Sequence, residues 1–170
     1  PFKWTTIIAF TPLRYAFLIP SMFRLPLSSV SAKIGFNPKF KTQLAEIMND
    51  LGVYVSYIQV FYRPEHDYCS IHTDCNGGDF IKINWAYGGL GSKMTWYSIN
   101  PGKENTGSLA KTEVDSEYIV HKFEDLRLEH TDKIIEGTPA AIQVGIPHHI
   151  DNQLNQRYCI SFSISDLKTH

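Results

Sequence analysis

The residues of this chain best suited to chemistry fall in two short clusters. The first is His72-Thr73-Asp74. The second is His148-His149-Ile150-Asp151-Asn152, followed by Arg157 on a run with strand character. If the clusters meet, they offer two imidazoles and one carboxylate to a single metal, with a fixed cation beside it. Such a set covers one face of Fe(II) and leaves coordination positions open, as oxygen-using non-haem iron sites require. If they do not meet, the chain is an ordinary β-rich domain with surface histidines.

The elements carrying these residues decide between the two outcomes. On a strand, residues two apart point to the same face, so an H-x-D step aims an imidazole and a carboxylate at one point. The step occurs three times, as His72-x-Asp74, His130-x-Asp132 and His149-x-Asp151. Taken alone, each reads as a polar turn or strand edge. His130-Thr131-Asp132 fits that plain reading best, because Glu129 and Lys133 flank it and the Gly137 turn follows. His72 and Asp74 differ. They come after the long β-branched and aromatic run from Val53 to Tyr62 and just before the turn Asn76-Gly77-Gly78, at a strand end. The apolar strand from Ala140 to Ile146 ends at Pro147-His148. Downstream, alternation over 157–163 places Arg157, Cys159 and Ser161 on one face. An arginine pointing inward needs an anion, because burying it unpaired is costly. A ligand carboxylate gripped by two guanidinium donors would serve. The other readings are an internal Asp or Glu partner, or a solvent-facing side chain.

The rest of the pattern is a series of strands. One helix is expected: Asn37 caps it, Pro38 suits its first turn, Phe40, Leu44, Ile47 and Leu51 fall at helical spacing, and Gly52 stops it. Its apolar stripe should cover a sheet face. Strands are expected at 53–62 and at about 69–74, 80–86, 93–98, 117–122, 139–146 and 156–164, separated by Gly, Asn and Pro turns. Residues 1–36 read as short strands and turns, and 101–116 as an exposed polar loop. Gly88-Gly89-Leu90-Gly91 is a plain turn or a mobile lip. Trp85, Tyr87, Trp96 and Tyr97 are packing aromatics or the lining of a mouth. Neither a repeat nor a linker is visible. The fold class that follows is mainly β: an antiparallel sandwich or jelly roll with one or two covering helices.

Composition excludes several functions. The 170 residues suit one domain with a real core, 43% apolar and 19% charged. A net charge of −1 gives no reason to expect nucleic acid or an anionic membrane as partner. No apolar run reaches the length of a membrane span. The opening stretch lacks the layout of a signal peptide, and with Pro1 in first place the chain reads as trimmed or as a fragment. Cys69, Cys75 and Cys159 are odd in number and without framework spacing, which argues for a reducing, cytoplasmic setting and against a disulfide scaffold or structural zinc.

In combination the motifs resemble a family. H-x-D, a Gly137-Thr138-Pro139 turn, a strand ending in Pro-His-x-Ile-x-Asn, and Arg157 nine residues after His148 are similar in order and spacing to the Fe(II)/2-oxoglutarate-dependent dioxygenases. The resemblance covers roughly 53–165. It implies a single dioxygenase-like domain over 1–170 with its core at about 53–165, folded as a double-stranded β-helix of cupin-like type. It implies Fe(II) held by His72, Asp74 and His148, with His148 preferred over His149 because it fits the Pro-His-x-Ile-x-Asn pattern. Arg157 then resembles the residue that binds the distal carboxylate of the cosubstrate 2-oxoglutarate. Ser161 or Cys159 would support it, and Asn84 and Tyr62 would reach the same molecule. Where the family often has Ser two residues beyond the arginine, this chain has Cys159, which puts that second contact in doubt. The activity implied is hydroxylation by dioxygen of a small-molecule or peptidyl substrate, with 2-oxoglutarate converted to succinate. Two rivals stand: a non-catalytic cupin-like module that binds a metal or ligand, for which a buried Arg157 has no purpose, and a structural jelly roll with His72 and His148 far apart.

Overall fold

The computed structural model describes residues 30–33, 42, 46, 50, 52–65, 69–74, 81–112, 117–152 and 155–166. Among the described residues eleven strands follow one another: β1 (Val30–Lys33), β2 (Val53–Arg63), β3 (His72–Asp74), β4 (Ile81–Gly88), β5 (Lys93–Ile99), β6 (Ser108–Lys111), β7 (Glu117–Val120), β8 (Leu126–Lys133), β9 (Pro139–Gln143), β10 (His148–Asp151) and β11 (Arg157–Asp166). They form two antiparallel sheets. One is ordered β1-β2-β11-β4-β9 and the other β6-β7-β3-β10-β5-β8. Strands β2 to β5 and β8 to β11 pass alternately between the sheets, while β5 to β8 stay in the second, a winding consistent with a cupin-like jelly-roll sandwich.

The long run at 53–63 becomes β2 because β-branched and aromatic side chains favour a pleated, half-buried surface. It pairs along its length with β11, whose other neighbour is β4. Directly paired residues share a face, so the register sorts this sheet. Tyr158, Ile160 and Phe162 stand with Val60, Tyr62, Ile83 and Trp85 on one face. There Val60, Ile83, Ile160 and Phe162 form a buried apolar cluster. Arg157, Cys159, Ser161 and Ser163 stand on the other face with Lys82, Asn84 and Ala86. That face looks across the sandwich. Met94 of β5 packs there against Ile142 of β9 and against Val144, with Trp96 and Ile150 beside them. Met94 is fully buried, and truncating such a side chain costs about 2–5 kcal/mol.

Three strands, β6, β8 and β10, lie where the sequence suggested none. β1 is a short strand in the opening segment, where short strands and turns were expected, whereas β6 falls in the loop expected at 101–116. β8 is nearly all exposed on the rim of its sheet, so no apolar alternation marks it. The strand expected at 139–146 is β9, which ends at Gln143, and β10 follows from His148 beyond the expected range. The apolar stripe of the expected helix lies outside the described residues, while Thr42, Glu46 and Asp50, one turn apart, are helical and exposed.

Gly88 and Gly89 make the crossing from β4 to β5, each with positive φ. A Cβ on Gly88 would lie 2.7 Å from the Gln156 carbonyl oxygen, and one on Gly89 3.1 Å from Arg157 Cδ. The Gly89 amide donates to the Gln156 carbonyl at 2.8 Å. This turn is a fitted wall against the start of β11.

Candidate metal centre

β3 and β10 are neighbours, and His72 pairs directly with His148. The two-residue strand period puts Asp74 on the face of His72. One donor atom from each of His72, Asp74 and His148 lies within 4.8 Å of the other two. The two rings are 4.4 Å apart between centroids. His72 Nε2 is 3.4 Å from Asp74 Oδ1. Two bonds of about 2.1 Å at a right angle place their donors about 3 Å apart, so the spacing suits neighbouring sites of an octahedral ion.

Backbone contacts set the ring orientations. His72 Nδ1 donates to the Ser70 carbonyl at 2.8 Å, and His148 Nδ1 to the Ile146 carbonyl at 2.9 Å. A carbonyl only accepts, so the proton of each ring is fixed at Nδ1 and Nε2 is left to face the cluster. The Asp74 amide donates to the Val144 carbonyl at 2.9 Å, tying β3 to the segment before His148.

The electrostatics follow from three titrating groups in little space. Burial pushes the His72 pKa down, but hydrogen bonding to Asp74 and the nearby Cys69 sulfur outweigh it and raise it to about 10. Burial pushes Asp74 up, and His72, Lys82 and His148 outweigh that, holding its carboxyl well below the usual range. Burial and the His72 charge bring His148 down to about 4. The charged forms of His72 and Asp74 thus favour each other, with His72 Nε2 directed at Asp74 Oδ1.

His149 points the other way. It pairs with Thr95 on the opposite face of the sheet, so His148 and not His149 joins the cluster. His130 and Asp132 bond to each other at 2.9 Å on rim strand β8, and among the described residues no third ligand group joins them. Two residues that the sequence pattern did not single out touch the cluster. Lys82 Nζ lies 2.6 Å from Asp74 Oδ2, and Cys69 Sγ lies 3.7 Å from His72 Nδ1. Lys82 shares a strand face with Asn84, and that period-two relation was the available signal.

The second half of the expected site lies on the inward face of β11 and β4. Arg157 is 3% exposed, and its Nε has no hydrogen-bond partner. Ser161 pairs in register with Asn84, and neither Ser161 Oγ nor Asn84 Oδ1 has a partner. Such orphaned buried groups are uncommon and call for a polar occupant. Asn84 and Arg157 line a cleft whose other walls include Ala86, Met94, Trp96 and Ile142. Cys159, on the same face, is buried, and burial raises its thiol pKa, so it is at most a weak neutral donor. Tyr62 is a correction. It pairs with Tyr158 on the opposite face, the two rings tilted with centroids 4.9 Å apart, so it does not reach this interior. Trp85 and Tyr87 are also on that outer face, and only Trp96 of the four expected aromatics enters the cleft.

No family model matches the chain, and no curated protein matches it. Among solved structures, it is similar to one described as an X-ray structure of E. coli ycfD, with 11% identity over 67% of this chain and 27% of the other, at a TM-score of 0.38. It is likewise similar to one described as Escherichia coli ribosomal oxygenase YcfD, with 9% identity over 76% of this chain and 28% of the other, at a TM-score of 0.40. The chain spans less than a third of either, and likeness at this level carries no argument about activity. Among the described residues, no helix is long and apolar enough to cross a membrane.

Proposed function

We propose that this chain is an Fe(II)/2-oxoglutarate-dependent oxygenase that hydroxylates a small-molecule or peptidyl substrate. The observation that carries the reading is a pairing of features in one sandwich interior. A histidine-aspartate-histidine cluster, its imidazoles tied back through Nδ1, lies in the same fold as a buried arginine with an unanswered donor. A metal fits the first and a dicarboxylate fits the second. When bound, iron and 2-oxoglutarate supply the oxidising power, coupling decarboxylation of the cosubstrate to insertion of oxygen into a substrate C–H bond.

The chain's own residues do the rest. His72, Asp74 and His148 would hold the ion from one side and would leave positions for exchangeable ligands. Arg157 receives the distal carboxylate of 2-oxoglutarate, and its guanidinium donors fix the axis along which the molecule enters. The Ser161 hydroxyl donates to the same end, with the Asn84 amide beside it. Met94, Ala86 and Ile142 keep the cleft dry, which strengthens the charge pairing.

The test is anaerobic titration of the protein with Fe(II) and then 2-oxoglutarate, watching for the weak visible charge-transfer band of the chelate. A band that saturates at one equivalent of iron supports the oxygenase. Tight iron binding without a band points to the cupin-like binding module instead.

A further inference from the structure

The geometry points to Lys82 as a positioning residue that keeps Asp74 a one-oxygen ligand. This deepens the proposed function and rests on it for the identity of the metal site. The Lys82 side chain is 5% exposed, and its Nζ lies 2.6 Å from Asp74 Oδ2. The other oxygen of the same carboxylate, Oδ1, is the one 3.4 Å from His72 Nε2. Each oxygen therefore has its own task. Oδ2 faces a cation from the five-stranded sheet, and Oδ1 faces the His72 imidazole of the six-stranded sheet. Lys82 reaches across the sandwich from a fixed place, because β4 is held by β9 on one side and β11 on the other.

Carboxylates bind divalent ions through one oxygen or through two. A charged oxygen left unpaired in a buried setting is costly, so it turns to any cation in reach. Without Lys82, the cation in reach of Oδ2 is the metal. Asp74 then takes a second coordination position, and one of the three that dioxygen and a chelating cosubstrate need is closed. Lys82 thus protects an open position and touches none of the reacting atoms.

The experiment counts water on Mn(II) in the whole chain, with no cosubstrate present, by proton electron–nuclear double resonance. Wild type should show three bound waters, Lys82→Met two, and Lys82→Arg, which also donates to Oδ2, three. In parallel, half-saturation of the Fe(II) chelate band should need at least about tenfold more 2-oxoglutarate in Lys82→Met, with wild-type behaviour in Lys82→Arg. Two waters in wild type, or three in Lys82→Met, would overturn the assignment. The wild-type count stands even if the methionine variant does not fold. A wild type with three waters and no chelate band leaves the role of Lys82 in place and removes the oxygenase reading. A wild type that binds no Mn(II) overturns both.

Discussion

Replacing Arg157 with methionine should weaken cosubstrate binding while strengthening the empty fold. Arg157 is 3% exposed with an unanswered Nε. A buried donor without a partner costs about 1–3 kcal/mol, and a charged one lies toward the upper end. Methionine keeps most of the apolar stem that packs beside Gly89 and removes the donor. Without ligands, Arg157→Met should therefore match wild type or exceed it by about 1–3 kcal/mol in urea unfolding. With Fe(II), the balance reverses. Hydrogen bonds from a charged donor contribute about 1.5–3 kcal/mol each. Losing a two-pronged contact then costs about 3–6 kcal/mol, or about 10²–10⁴-fold in 2-oxoglutarate affinity. The same loss should appear as stabilisation by 2-oxoglutarate in wild type that is absent in the variant. The assays are anaerobic band titration and urea unfolding with and without cosubstrate. A variant that is less stable by more than about 1 kcal/mol would show that the guanidinium already has a protein partner. Joined to an affinity change under about threefold, it would refute the reasoning.

Other expectations are simpler. His148→Ala should abolish Mn(II) binding, whereas His149→Ala should retain it, because only the first ring faces the cluster; equilibrium dialysis distinguishes them. Gly89→Ala should lower stability by about 1–2 kcal/mol and weaken 2-oxoglutarate binding, since the new methyl needs a left-handed backbone and presses on Ser92 Oγ and Arg157. The metal-free protein should be most stable near neutral pH. His72, at about 10 in the fold against 6.5 unfolded, contributes fully below pH 6.5 and loses that contribution as pH rises toward 10. Asp74 is depressed, so its contribution is present above pH 3.8 and is lost as pH falls below it. His148, lowered from 6.5 to about 4, contributes above pH 6.5 and loses this as pH falls toward 4. Urea midpoints across pH should trace both limbs, and His72→Gln should flatten the alkaline one.

Legibility in the sequence tracked burial. β2, β4, β5 and β11 carry buried faces, and their alternation or apolar runs place them to within a residue or two. β8 has almost no buried face, so nothing in its residue types separates it from a charged loop. The period of two on β11 put Arg157, Cys159 and Ser161 on one face. The same period on β2 excludes Tyr62, but only once the register with Tyr158 is known. His148 against His149 is a parity question of the same kind, decided by which residue opposes His72. Lys82 escaped notice because a lysine among strand residues ordinarily marks a solvated face. Its burial depends on Asp74 arriving from the other sheet, a tertiary relation that residue types on β4 cannot encode.

The two imidazole tethers carry a further consequence. Each runs from a ring to a carbonyl two residues earlier on its own segment, Ser70 for His72 and Ile146 for His148. Ligand aim is thus written into two tripeptides, without recourse to distant side chains. Loops and walls around the cleft can then change in shape and charge while the ligands hold their angle. For the oxygenase proposed above, this would separate the part that must stay constant from the part that selects what is oxidised. New specificity is therefore open to substitution at the mouth without relearning how to hold the metal.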